Sequence, residues 1–255
     1  MQERIDRRLY EAMTGAGGGD DGETTRADAH VDLHTAGVGS VPFSIRDRVL
    51  YGEHRTETTA ESLAESLRSL VEAFGLPVVT EYPAGEYVDQ SLQRSTAGAV
   101  LNAAGVPSFT TELGGHSVVE ADARTAGVAG VYGVLVELGM VEAGDVPDDV
   151  GEPGAAVPEK PVEFPVRRYV GPRTETSGVV RHRVAAGDVV ESGDVVADVV
   201  SPTGERLDAV TTDRDGYVLG RAEGLAAYEG DAVARLAVRD DGDLVVPRES
   251  DADES

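Results

Sequence analysis

The sequence predicts an α/β domain followed by a small all-β domain, and three observations carry that prediction. Strand-like runs at residues 29–34, 77–81 and 106–112 alternate with helix-like patterns, which implies a parallel sheet with helices on its faces. Residues 142–165 carry Pro147, Pro153, Pro158, Pro161 and Pro165 and read as an interdomain linker. Beyond it, short β-rich runs are separated by Gly-Asp pairs, the tight-turn pattern of a small all-β unit. The expected division is therefore 1–141, 142–165 and 166–247, followed by an acidic tail at 248–255 that is expected to be disordered.

The elements follow in order. Residues 2–13 read as a helix, because Ile5, Leu9 and Met13 recur four residues apart. Residues 15–26, rich in Gly and Asp, read as a solvated loop. A strand is expected at 29–34, then a Gly-, Ser- and Pro-bearing loop through about residue 56. Thr58 and Glu61 have capping-box spacing and open a helix whose Leu63, Leu67, Leu70, Val71 and Phe74 share one face. Gly75 closes it. After the strand at 77–81, residues 91–104 form a small-residue helix ended by Gly105, and the third strand leads to a long apolar helix at 119–138 ended by Gly139.

Composition narrows the function classes. A formal net charge of −25 argues against binding nucleic-acid phosphates, which needs a basic patch. Lys160 is the sole lysine, and heavy Asp and Glu with almost no Lys is the surface expected of a protein adapted to molar salt. The alternative is an acidic protein of an ordinary cytoplasm. With no cysteine there is no disulfide framework and no thiolate metal site, so a zinc ion would need His and carboxylate ligands. No apolar run approaches the ~20 residues of a membrane span and no signal-peptide pattern is present, so the expected location is cytoplasmic, with neither nucleic acid nor membrane as a partner.

Two motifs carry chemistry. Val31 to Gly37 reads VDLHTAG and Thr110 to Gly115 reads TTELGG, so His34 and Glu112 each stand at the end of a strand-like run. In parallel sheets ligands bind beyond the carboxyl ends of strands. A histidine fixed there can ligate zinc, and a carboxylate flanked by glycines can take a proton from a water. The alternatives are a hydrogen-bonded sheet-edge histidine and an exposed strand-end glutamate. His30 lies about 13 Å along the strand from His34, too far to share a metal, and reads as structural. Asp32, on the same strand face at about 6.6 Å, is placed to orient His34, or is a surface aspartate. His116, after the two glycines, is available for a substrate contact or is an ordinary loop residue. Arg46, Arg48 and Arg94 can meet a substrate carboxylate or face solvent.

The runs SGVV, AAGDVVESGDVVADVVSPTGE and DGYVLG look like a barrel-sandwich hybrid domain, as in biotinyl and lipoyl carriers. A carrier needs a lysine at its hairpin tip, and none follows Lys160. Taken in order, DLHTAG, helix and strand, PSFTTELGG, linker and hybrid-like domain resemble the succinylglutamate desuccinylase/aspartoacylase family of zinc deacylases. The resemblance implies a partial zinc-carboxypeptidase-like α/β/α domain followed by the barrel-sandwich hybrid-like domain. It implies that His34 is a zinc ligand, that Glu112 activates the metal-bound water, and that the substrate is a small acylated molecule cleaved at an amide. It departs from the family in lacking the His-Gly-x-Glu segment, which brings two more zinc ligands, and the Asp-Leu-Asn-Arg segment. The chain is thus read as starting inside the catalytic domain. Alternative readings are a truncated, inactive, binding-only relative and a β-hybrid interaction protein with a degenerate α/β partner.

Overall fold

The computed structural model describes residues 2–15, 26–118, 120–148, 150 and 159–248. The predicted acidic tail beyond 248, residues 16–25 of the expected first loop and much of the expected linker lie outside the described residues.

Helix α1 (Gln2–Thr14) precedes β1 (His30–His34). The expected loop after β1 instead contains two strands, β2 (Phe43–Arg46) and β3 (Val49–Tyr51). Each is too short for alternation to reveal it, and each owes its state to distant partners rather than to local pattern. Helix α2 (Glu57–Phe74) starts earlier than the Thr58–Glu61 spacing implies. Thr56 is the N-cap, accepting from the Thr59 N–H at 3.3 Å, and Gly75 ends the helix at φ 85° as expected. Strand β4 (Val78–Thr80) is followed by a short α3 (Ala84–Asp89) that the sequence pattern does not reveal. The helix expected over 91–104 is split: a 3₁₀ turn at Leu92–Arg94 precedes α4 (Thr96–Asn102), whose N-cap Ser95 accepts from the Gly98 N–H at 3.0 Å. Strand β5 (Ser108–Glu112) and helix α5 (Ala121–Glu137) complete this half.

The buried face of α2 is the predicted one, with Ala60 and Ala64 added. It packs on α5, and Phe74 meets Phe109 of β5 edge-on, with ring centroids 5.7 Å apart. The approach of α5 depends on its small residues. A Cβ at Gly130 would come within 2.5 Å of the Phe74 ring, and one at Gly127 within 2.9 Å of Leu113.

The C-terminal half runs through β6 (Val166–Val170), β7 (Gly178–His182), β8 (Val189–Val190), β9 (Val195–Val200), β10 (Arg206–Thr211), β11 (Gly216–Arg221), β12 (Ala226–Ala227), β13 (Ala234–Arg239) and β14 (Val245–Pro247). Three of its Gly-Asp pairs build the same turn. Asp188, Asp194 and Asp231 each accept the N–H three residues earlier at 2.8 Å, and the preceding glycines have φ of 92°, 100° and 87°. An eight-stranded sheet in the order β1-β5-β2-β4-β6-β13-β11-β8 crosses both halves, joined where β6 lies between β4 and β13. A four-stranded sheet, β10-β9-β7-β12, shares a core with the C-terminal strands of the large one through Val196, Val199, Val218 and Leu236. Between the halves, Phe43, Ile45 and Val79 pack against Val166, Tyr217 and Leu219, together with Val162.

The parallel arrangement expected of the α/β half holds for β1–β5 and β2–β4 and fails at β5–β2, which is antiparallel. The β1–β2 connection has no crossover helix, so β2 returns in the opposite direction and β5 inserts between them. The fold is a mixed α/β domain with a large mixed sheet joined to an antiparallel β unit.

Candidate active site

Strands β1 and β5 are parallel and in register, so their last residues, His34 and Glu112, are direct partners on one face at the same carboxyl edge. Neighbouring strands lie about 4.8 Å apart, which puts the two backbones at that separation. Asp32 projects on the His34 side, and its Oδ1 is 3.1 Å from His34 Nε2. The opposite ring nitrogen makes no hydrogen bond among the described residues. His30, by contrast, is tied to Ser108 Oγ at 2.8 Å through Nδ1, and burial lowers its pKa.

Glu112 lines a cavity of about 680 Å³ lying between the two halves of the chain. Thr35, Ala36 and Gly37 continue into its wall, whereas His34 is not among its lining residues and has 51% of its side chain exposed. Glu112 Oε2 is buried and has no hydrogen-bond partner among the described residues. Burial raises the Glu112 pKa above its usual value, and the nearby His34, Arg168 and Arg235 pull it back down. A cavity-lining carboxylate with a raised pKa and one unsatisfied oxygen is equipped to accept a proton from a bound water. His116 also faces the cavity and holds a left-handed backbone, φ 47°, rare for a residue with a side chain.

The arginines singled out in the sequence do not reach this cavity. Arg48 is buried and donates to both Asp240 oxygens at 3.0 Å, Arg46 donates to Thr80 Oγ1 at 3.1 Å, and Arg94 is exposed. The guanidinium groups that do reach it are Arg168 of β6 and Arg235 of β13. Nothing local marks them. Each lies in an ordinary β run and meets Glu112 only through the pairing of distant strands.

Zinc was the cofactor implied by the motifs. Among the described residues no group of three or more His, Cys, Asp or Glu side chains could hold a metal ion. A catalytic zinc takes three protein ligands, so His34, even aided by Asp32 and the unsatisfied Glu112, does not fit zinc alone.

The architecture is a mixed α/β domain with an appended antiparallel β unit. Solved proteins of the succinylglutamate desuccinylase/aspartoacylase family share it. A succinylglutamate desuccinylase from Silicibacter sp. TM1040 superposes with a TM-score of 0.60 at 22% identity, over 92% of this chain and 61% of that one. A succinylglutamate desuccinylase/aspartoacylase from Rhodobacter sphaeroides gives 0.62 at 22% identity, over 84% of this chain and 59% of that one. The product-bound ectoine utilization protein EutE (DoeB) from Ruegeria pomeroyi gives 0.59 at 20% identity, over 89% and 67%. The chain thus spans about three fifths of the length of the first two. No protein-family model and no curated protein matches the sequence. Among the described residues no helix is long and apolar enough to cross a membrane.

Proposed function

We propose that this chain carries the base-bearing part of a deacylase that hydrolyses the amide of an N-acyl amino acid or a related small molecule. The observation that carries the reading is the in-register placement of His34 and Glu112 at adjacent strand ends, with Glu112, one carboxylate oxygen unsatisfied, lining the cavity of about 680 Å³. Ionised Glu112 takes a proton from the water attacking the scissile carbonyl and returns it to the departing amine. Asp32 holds the His34 ring in place. Zinc dependence is the finer part of the proposal and requires two ligands beyond His34.

Glu112→Gln tests the reading. Provided that two further ligands complete the zinc site, turnover of N-acyl amino acids, assayed with zinc supplied in molar salt, should fall about 10²–10⁴-fold, because an amide cannot accept that proton. The acidic limb of the pH–rate profile should disappear with it. A Glu112→Gln variant as active as the parent would remove Glu112 from the mechanism. The second reading, a binding-only relative, draws on His34 being the lone histidine on this strand pair's carboxyl edge. Saturable binding of N-acyl amino acids with no turnover at any zinc concentration selects it.

A further inference from the structure

The sheet edge that carries His34 and Glu112 borders a second cavity, of about 430 Å³ and of opposite character. Strand alternation sends Leu33 and Leu113 to the face away from His34 and Glu112, and there they meet α5. The apolar lining is Leu33, Leu113, Val118, Val128, Val131 and Tyr132, with Glu120 and Arg124 beside them. The cavity of Glu112 is the charged one, with Arg168, Glu223 and Arg235 in its wall. Thr35 and His116 line both, so the two cavities meet where the chain leaves β1 and β5.

The backbone after β5 builds the apolar wall. Gly115 at φ 73° and His116 at φ 47° turn the chain sharply, and the Val118 N–H donates back to the Gly115 carbonyl at 2.8 Å. Val118 is thereby carried to the cavity, opposite the start of α5. On α5 the bare backbone of Gly127 lets the helix lie against Leu113, because a Cβ there would fall 2.9 Å from Leu113 Cδ1. Three of the lining side chains stay open to solvent in a protein of net charge −25: Leu33 is 50% exposed, Val118 65% and Val128 43%. A concave apolar surface of this kind, rimmed by polar groups and joined to a charged cavity, is a site for the apolar part of a ligand.

We propose that the second cavity receives an apolar acyl chain, so that the amide cleaved beside Glu112 belongs to a medium-chain acyl amino acid. The proposal rests on the deacylase reading above and names its substrate class. With the amide beside Glu112, the chain passes Thr35 and His116 over the sheet edge to reach Leu33, Val118 and Val128. A two-carbon acyl group ends before that passage and gains nothing from the apolar wall.

Calorimetry in molar potassium chloride with N-acetylglycine, N-hexanoylglycine and N-octanoylglycine tests it on the full chain. Affinity should rise with chain length, and the octanoyl ligand should bind the parent about 10- to 100-fold more tightly than the acetyl one, as expected when several methylenes leave water for a half-open apolar site. Val128→Glu, at an exposed helix position, should bring the three ligands to within about 3-fold of one another, because it sets a carboxylate in the wall. Ala123→Phe, which fills the cavity from the next turn of α5, should do the same, and Val128→Ile should keep the preference. Equal binding of all three ligands by the parent, no binding of any, or an undiminished preference in both Val128→Glu and Ala123→Phe overturns the assignment. This proposal and the deacylase reading fail separately. A chain-length preference beside full turnover in Glu112→Gln removes the base and leaves the acyl site. Loss of turnover in Glu112→Gln beside equal binding of acetyl and octanoyl ligands removes the acyl site and leaves the base.

Discussion

Asp47 shows at the residue scale how burial rewrites an ordinary side chain. Its carboxyl is pushed from 3.8 up to about 7, chiefly by burial, although the Tyr87 hydroxyl donates to it at 2.7 Å. The folded state therefore holds this proton more tightly than the unfolded chain does. The stability it contributes is complete below about pH 4 and is lost as pH rises through about 7. Asp47→Asn keeps an acceptor for Tyr87 and removes the charge. At pH 8 it should be more stable than the parent by a few kcal/mol, and below about pH 4 the two should converge. Thermal melts at several pH values check this, and parallel curves for both proteins would sink it. The same scale holds the legible part of the site. The strand-end places of His34 and Glu112, and the shared face of Asp32 and His34, follow from alternation, whereas the roles of ligand and base came only from the family resemblance. Arg168 and Arg235 were not readable, because no spacing within β6 or β13 says which cavity a strand will border.

At the element scale, α5 is a helix whose packing face is made of what it lacks. Gly127, Gly130, Gly133 and Val134 are its buried residues, so the stripe that meets α2 and β5 is nearly bare backbone. That stripe carries little apolar signal, and the sequence shows only a long apolar helix with no preferred face. Gly130→Ala should therefore destabilise despite the better helix propensity of alanine, because the Phe74 ring occupies the space of the new methyl. A loss of about 1–3 kcal/mol in urea unfolding, with an unchanged denaturant slope, is the expected outcome. A gain would mean that α2 and α5 are not held at this separation. The Gly-Asp turns of the β unit behave oppositely. Each is closed by its own aspartate and a left-handed glycine, so they were legible without knowledge of the fold.

At the scale of the whole molecule, the two halves are clasped by a buried ion pair and a returning strand. Arg48 lies between β2 and β3, donating to the backbone carbonyls of Glu81, Tyr82 and Asp243 as well as to Asp240, and β14 pairs in parallel with β3. Asp240→Ala leaves that guanidinium without its counter-charge and should cost about 3–5 kcal/mol. Hydrogen exchange should report loss of protection in β3 and β14 together, whereas loss confined to the β13–β14 connection would mean that the clasp does not couple the halves. Charge acts at this scale as well. With a formal charge of −25, self-repulsion destabilises the folded state and salt screens it. Raising potassium chloride from about 0.15 M to about 2 M should raise the melting temperature by several degrees or more. A melting temperature indifferent to salt would favour the ordinary acidic protein over the salt-adapted one.

The sequence by itself determined the features that are local in their physics. Helix α2 and its buried stripe, the strands carrying His34 and Glu112, the Gly-Asp turns and the change from alternating α/β to all-β all follow from periodicity, turn chemistry and composition. Only the tertiary structure decided the rest. Strands β2 and β3 exist because β4, β5 and β14 pair with them, and the large sheet becomes mixed because β5 enters between β1 and β2. The cavity that sets Arg235 opposite Glu112 forms where strands remote in sequence share one sheet. Hydrogen-bond pairing between distant segments, and the burial it imposes, leaves no period in either segment alone.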